Sequence, residues 1–443
     1  MSDGITAARG DIAPDEAGAT SGPQLRDRIA VARVPWTSWY ALAILSAINL
    51  FAYLDRAALA LLLEPIKAEL HLKDSQLGLL SGLAFAALYA TVGLPLARVA
   101  DRSSRVRLIS ACLAFWSVMT AVCGLARNLP QLFIARMGVG VGEAGCVTAA
   151  HSLISDYFPR ERRALAISIF QTGAVVGLSA GLFAVGVIGQ TLGWRAAMET
   201  IGLAGLPLAL LSWLTLREPL RPPAQSAENE PALKALAALM KRPAFVHLVV
   251  AYALSTICTS SMTQWMPTLL IRSFGMTMAQ VGAWSGMASA VGGVLGLLTG
   301  GLLASWLAPR DPSWELRLPA ITYAIYIPLY ILMILSPTAL AALLLKTIAN
   351  FVASIGAGLA LASVQSFAEP NRRATAVAIA LFLSSLLGMG LGPYVIGALS
   401  DILAPSLGRE SLRYAMLISC AIVVWAVVHF CLATKHSAKD RVN

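Results

Sequence analysis

The chain has 443 residues, of which 57% are hydrophobic and 13% charged, and its mean hydropathy is +0.72. Soluble domains carry about 25% charged residues, so there is too little charge here to clothe a soluble fold of this length. Soluble enzymes, secreted disulfide scaffolds and nucleic-acid binders are excluded on that arithmetic. What fits instead is a series of apolar helices of about 20 residues, each long enough to cross ~30 Å of hydrocarbon.

Residues 1–35 are rich in Gly, Ala, Asp and Arg, lack the apolar core of a signal peptide, and read as a cytoplasmic tail. Six apolar spans follow, at 39–63, 76–96, 106–125, 129–154, 164–192 and 196–216, within an N-terminal bundle covering 36–217. The composition then shifts. Residues 218–243 are rich in proline and charge and read as a cytoplasmic linker with one short surface helix. Six more spans, at 245–272, 278–306, 317–335, 338–367, 374–402 and 412–433, make a second bundle over 244–434, with a cytoplasmic tail at 435–443. The halves read as copies, since Arg162-Arg163-Ala164 follows the fourth span and Arg372-Arg373-Ala374 follows the tenth. The fold class is thus an all-α polytopic membrane protein, with twelve transmembrane helices in two pseudo-symmetric six-helix bundles.

The net charge of +10, from 33 basic against 23 acidic residues, does not call for an anionic partner. Between spans, 23 basic residues fall on the side of the termini and 7 on the other. That bias places both termini in the cytoplasm of a plasma-membrane protein. The six cysteines all lie in apolar stretches without a CxxC pair, and the histidines have no ligand spacing. No disulfide, metal or cofactor is expected.

Ionisable residues at membrane depth are expensive, and each marks a functional hypothesis. The clear cases are Asp55 and Arg56 in span one, Arg136 and Glu143 in span four, and Lys346 in span ten. Arg136 and Glu143 share a helix face about 10 Å apart along the axis. Counting from the span ends puts Asp55 about 12 Å deep and Arg136 about 10 Å deep on the same side, so the two should pair. Glu143 then lies deeper with no strong partner at its level, as suits a proton carrier. Lys346 lies nearer a span end and is expected to snorkel to the interface. Span seven is rich in hydroxyl groups, and Gln264 and Trp265 within it, with Gln171 in span five and Asn350 in span ten, are candidate cavity-lining residues.

These residues carry a resemblance. Asp101-Arg102-Ser103-Ser104-Arg105, after span two, resembles the loop signature of the major facilitator superfamily (G-x-L-A-D-R-x-G-R-[KR]), with Ala97 and Ser104 in place of its two glycines. Within that superfamily, five stretches are similar to the Spinster-like subgroup: YLDRAALALLLEPIKAEL (53–70), SQLGLLSGLAFAALYATVGLPLARVADR (75–102), RMGVGVGEAG (136–145), DYFPRERRA (156–164) and PYVIGALSD (393–401). The resemblance implies that Asp55, Arg56, Arg136 and Glu143 are coupling and substrate-adjacent residues. It also implies that Asp101, Arg102 and Arg105 form a conformational latch near the start of span eleven. The subgroup's implied substrates are amphipathic lipids, notably lysophospholipids and sphingoid phosphates. In span five the glycines of the superfamily's antiporter motif are present as Gly173, Gly177 and Gly181, but Leu178 replaces its proline.

The leading expectation is a monomeric, proton-coupled secondary transporter of an amphipathic organic anion, working by alternating access amid membrane lipid. A facilitator or symporter of small organic acids is the first alternative, with Arg56 or Arg136 binding the carboxylate. A non-transporting sensor or intramembrane enzyme is the second. No HExxH metal motif and no nucleotide-binding GxxxxGK[ST] loop occur in the chain.

Overall fold

In the computed structural model, residues 34–219, 232–369 and 372–440 are described, and every regular element among them is helical. Most of the expected N-terminal tail and half of the linker lie outside the described residues. Ten helices are long and apolar enough to cross a membrane, and two of them, Glu161–Thr215 and Thr375–Ala438, run long enough for two passes each. Hydrocarbon offers no hydrogen-bond partners, so a spanning segment has to satisfy its backbone within its own helix.

Span one is Trp36–Leu70 and span three is Arg105–Leu125. Span two is split at Gly82 into Asp74–Ser81 and Leu83–Arg102, and span four at Gly145 into Leu129–Ala144 and Cys146–Tyr157. Spans five and six form Arg160–Thr215, which reverses direction at Gly193. The φ of 87° there is open to glycine at little cost and to other residues rarely. The second half runs through Pro243–Phe274, Met278–Leu307, Trp314–Ile334 and Ala339–Ser363 as spans seven to ten. Span eleven comprises Arg373–Leu383, a π-helical segment Ser384–Leu391 and Gly392–Leu407, and span twelve is Ser411–Asp440.

The helices outrun their apolar windows in three places. Span two continues through Asp101 and Arg102, which the sequence reading put in a loop, leaving only Ser103 and Ser104 between spans two and three. Span one continues to Leu70, and span twelve extends through most of the expected C-terminal tail to Asp440. Hydropathy marks where a helix meets hydrocarbon, whereas the helix itself ends where its backbone finds other partners. Asp440 supplies one such partner, its carboxylate accepting the Ala244 N–H at 2.8 Å. The short linker helix is Ala232–Leu239, and it buries Ala235 and Leu239.

Outward faces stay apolar, with Leu210, Leu302 and Ile402 all exposed, as a lipid surface requires. Inside each half, small residues set the distance between helices. Gly173, Gly177 and Gly181 of span five lie against Ser46, Leu50 and Leu54 of span one, and a Cβ on Gly177 would stand 2.2 Å from the Leu50 carbonyl oxygen. The glycines of the incomplete antiporter motif thus make a groove for span one. Gly177→Ala should lower stability by about 1–3 kcal/mol through overpacking. Gly301→Ala, whose new methyl would meet nothing within 4 Å, should be neutral or slightly stabilising. Thermal unfolding in detergent checks both, and equal behaviour of the two variants would contradict this packing.

Candidate functional site

A cavity of about 520 Å³ lies between the two halves, within the usual range for ligand sites. Span one brings Tyr53 and Arg56 to it, span two Phe85, span four Arg136 and span five Gln171. From the other half come Gln264 of span seven and Lys346 and Asn350 of span ten.

Asp55 and Arg136 are both almost fully buried, and Arg136 Nη1 donates to Asp55 Oδ2 at 2.6 Å. The similar depths of the two residues along their spans predict that contact. Thr120 Oγ1 donates to the other carboxylate oxygen at 2.7 Å, so both oxygens of Asp55 are engaged.

Glu143 requires a correction. It is not alone at its level, because Arg56 holds it through Nε at 2.8 Å and Nη2 at 2.7 Å, both on Oε2. Side chains lean toward the N-terminus of their own helix. Spans one and four run in opposite directions, so Arg56 and Glu143 lean toward each other across a gap that Cα depth alone leaves too wide. Glu143 Oε1 is buried and has no hydrogen-bond partner among the described residues. The Arg56 side chain keeps 17% of its surface open against 1% for Glu143, so the arginine is the member of the pair that the cavity reaches. Its guanidinium carbon sits 4.9, 4.9 and 5.1 Å from the ring centres of Tyr53, Phe85 and Tyr89. Such an aromatic cage attracts the cation by its quadrupoles. Sequence reasoning missed the cage, although Tyr53 and Arg56 stand one turn apart in a stretch it singled out.

Two further expectations fail. Trp265 is fully buried and does not line this cavity; its Nε1–H donates to the Pro393 carbonyl at 2.9 Å. Adjacent helical residues point about 100° apart, so its neighbour Gln264 faces the cavity while Trp265 faces span eleven. Lys346 does not snorkel. It is 5% exposed and its ammonium donates to the Ser285 carbonyl at 3.2 Å.

Of the three expected latch residues, the Asp101 side chain lies outside the described residues and Arg102 is exposed. Arg105 is pinned within its own half, to Asp156 at 2.6 Å, Glu218 at 2.8 Å and Ser152 at 2.7 Å. It opens span three, where the end of span four and the chain after span six converge on it. Burial alone would raise the pKa of Glu218. The Val106 N–H, Arg105 and Ser104 outweigh that and hold its carboxyl below the usual range.

The contacts that cross between halves gather at the opposite end, where span one finishes. Arg272 of span seven bridges Asp74 at 2.8 Å and Glu64 at 2.9 Å, making the only ion pairs between halves among the described residues. Lys67 and Ser400 also bond Asp74, at 2.6 and 2.7 Å. Asp401, at the far end of span eleven, accepts the N–H groups of Asp74 and Ser75 at 2.9 and 2.8 Å. A carboxylate thus caps the start of a helix from the other half, where the dipole favours it. Close packing accompanies the charges, since a Cβ on Gly397 would lie 2.2 Å from the Asp74 carbonyl oxygen. Sequence reading counted Lys67 and Arg272 as loop charges only. The available signal was Asp401 itself, at the end of PYVIGALSD.

The sequence model of the Major Facilitator Superfamily matches residues 45–393. An MFS-type efflux pump of Mycolicibacterium smegmatis is 31% identical over 410 residues, covering 92% of this chain and 95% of that protein. Protein spinster homolog 1 of Xenopus tropicalis is 30% identical over 418 residues, covering 88% of this chain and 79% of the relative. Among solved structures, a bacterial homolog to the human lysosomal transporter Spinster, in an inward-facing and unoccupied conformation, superposes with a TM-score of 0.83 at 29% identity. That match covers 92% of this chain and 99% of the other. Matched along most of its length by the family and by these relatives, the chain belongs to the Major Facilitator Superfamily and is a Spinster-like, multi-pass membrane transporter, not an enzyme.

Proposed function

We propose that this transporter is proton-coupled and moves an amphipathic or lipid-like organic anion by alternating access, in the plasma membrane with both termini cytoplasmic. The observation that carries the reading is the Arg56–Glu143 pair beside the cavity, with one Glu143 oxygen unpaired. That oxygen is where a proton can be added. Adding it cancels the acid's attraction for Arg56 and leaves the guanidinium, still held by its aromatic cage, free to meet an anion. Proton and substrate then favour each other's binding, and the effect is reciprocal by linkage. Asp55 differs, because Arg136 and Thr120 take both its oxygens. It serves as a fixed counter-charge. Support for orientation comes from the basic residues on the side of the termini. With that orientation, the end closed by Arg272 and Asp401 is the outer one, in keeping with the inward-facing state of the similar Spinster homolog.

Glu143→Gln mimics the protonated acid. It should bind substrate and support exchange but lose accumulation driven by a pH gradient. Uptake into proteoliposomes with and without the gradient decides this, and a folded variant with the parent's pH dependence would falsify the coupling role.

Asp401→Asn should loosen the closed end, because a neutral amide caps the start of span two less well than a carboxylate. In a cysteine-free background, a single cysteine at Ala60 on the cavity wall should then react several-fold faster with an impermeant thiol reagent added outside. Unchanged labelling would remove Asp401 from the gate.

A further inference from the structure

Among the described residues three cationic side chains reach the cavity, Arg56, Arg136 and Lys346, and no carboxylate lines it. The two arginines are neutralised from behind, by Glu143 and Asp55. Lys346 belongs to no ion pair among the described residues, and its one hydrogen bond there is to a main-chain carbonyl. An ammonium has three protons to donate, so two remain for a ligand. The wall contributed by the second half therefore presents one amine without a counter-charge, whose ammonium form is costly in a low dielectric until an anion answers it.

The surroundings of Lys346 form a built site. Asn350 lies one turn further along span ten, and its Nδ2 donates to the Ser289 carbonyl at 3.1 Å. Ser285 and Ser289 are themselves one turn apart on span eight, so two carbonyls of one helix hold two side chains of the next. Span eight can approach this closely because Gly292 and Gly296 face span ten; a Cβ on Gly292 would stand 2.5 Å from the Thr347 carbonyl oxygen. Asn350 thereby keeps its own carbonyl and a second N–H free of that bond. The rest of the cavity wall near span five is apolar, with Leu178, Leu182 and Val175, and Leu297 adds to it from span eight.

We infer that Lys346 and Asn350 form a headgroup subsite for a single negative charge, with the apolar part of the transported molecule lying along Leu178, Leu182 and Leu297. This rests on the cavity being the transport site, as proposed above. One uncompensated charge selects a monoanion such as a carboxylate over a neutral or cationic amphiphile with the same tail. While Glu143 is ionised Lys346 is the unanswered cation, so the charged end rests on the second half, and protonation of Glu143 then offers it Arg56 from the first.

The test measures binding of dodecanoate, dodecyl maltoside and dodecyltrimethylammonium to the full chain in nanodiscs by calorimetry. The parent should bind dodecanoate about tenfold or more tightly than the other two, as a hydrogen bond to a charged group warrants. Lys346→Met should erase that preference while leaving maltoside binding intact, which also reports that the variant is folded. Lys346→Arg should keep it. Binding of all three probes without charge preference, or a preference that survives in Lys346→Met, overturns the subsite alone. If no probe binds the parent, or if a bulky Gln171→Trp substitution in the cavity leaves binding unchanged, the cavity is not an amphiphile site, and the subsite falls together with the transport reading.

Discussion

A charge at membrane depth has to be answered by another charge, and the centre of this molecule is arranged around that constraint. Two consecutive residues of span one answer two residues of span four: Asp55 meets Arg136, and Arg56 meets Glu143. Removing one member of such a pair strands the other, at about 3–5 kcal/mol for a fully buried pair. The four side chains therefore fix the register of spans one and four against each other. Thr120 of span three and Phe85 of span two are drawn into the same cluster, the first as a donor to Asp55 and the second as a ring over both arginines.

The same economy of charge separates the two halves. The first half holds its charges as neutral pairs and supplies the aromatic cage, while the second half supplies one unpaired lysine in a largely apolar wall. Small residues let these elements come close enough to matter. The approach of span five to span one, and of span eight to span ten, leaves no room for side chains at the contact. Helices in lipid gain nothing from hiding apolar surface from water, so intimate backbone contact takes the place of a hydrophobic core.

Composition and spacing made most of the fold legible, because the membrane imposes helix length and basic residues mark sidedness. The buried ionisable residues were legible for the same reason: their cost makes them conspicuous. Direction was the missing quantity. Cα depth predicted Asp55–Arg136 but left Glu143 without a partner, because the lean of a long arginine along the axis is not part of a depth count. Trp265 and Gln264 were treated alike although neighbours on a helix face different ways. Contacts between halves were least legible of all. Lys67, Asp74, Arg272 and Asp401 come from four separate segments, and only the packing of span two on span eleven brings them together. The π-helical turn at Ser384–Leu391 was equally hidden, since its serines and glycines would suit an ordinary helix.

Span one joins the two charged regions. It carries Arg56 at the cavity, with Asp55 behind it, and Glu64 and Lys67 at the closed end, with Leu61 to Leu63 fully packed between them. From Arg56 to Glu64 is about 12 Å of continuous helix. A packed helix moves as a body, so a change in what holds Arg56 is also a change in where Glu64 meets Arg272. Pro65 lies beside that meeting point and removes one backbone hydrogen bond, the one place where this helix can bend without breaking another. On the transport reading, protonation of Glu143 acts on the closed end through the body of span one, and span two, with Phe85 at the cage and Asp74 at the gate, runs beside it. In the second half span seven is the counterpart, with Gln264 at the cavity and Arg272 at the closed end, while Lys346 is held by the Ser285 carbonyl of its own half. On the proposed coupling, span one is thus the lever that runs from Arg56 to the gate, and the residue it meets there, Arg272, belongs to the second half.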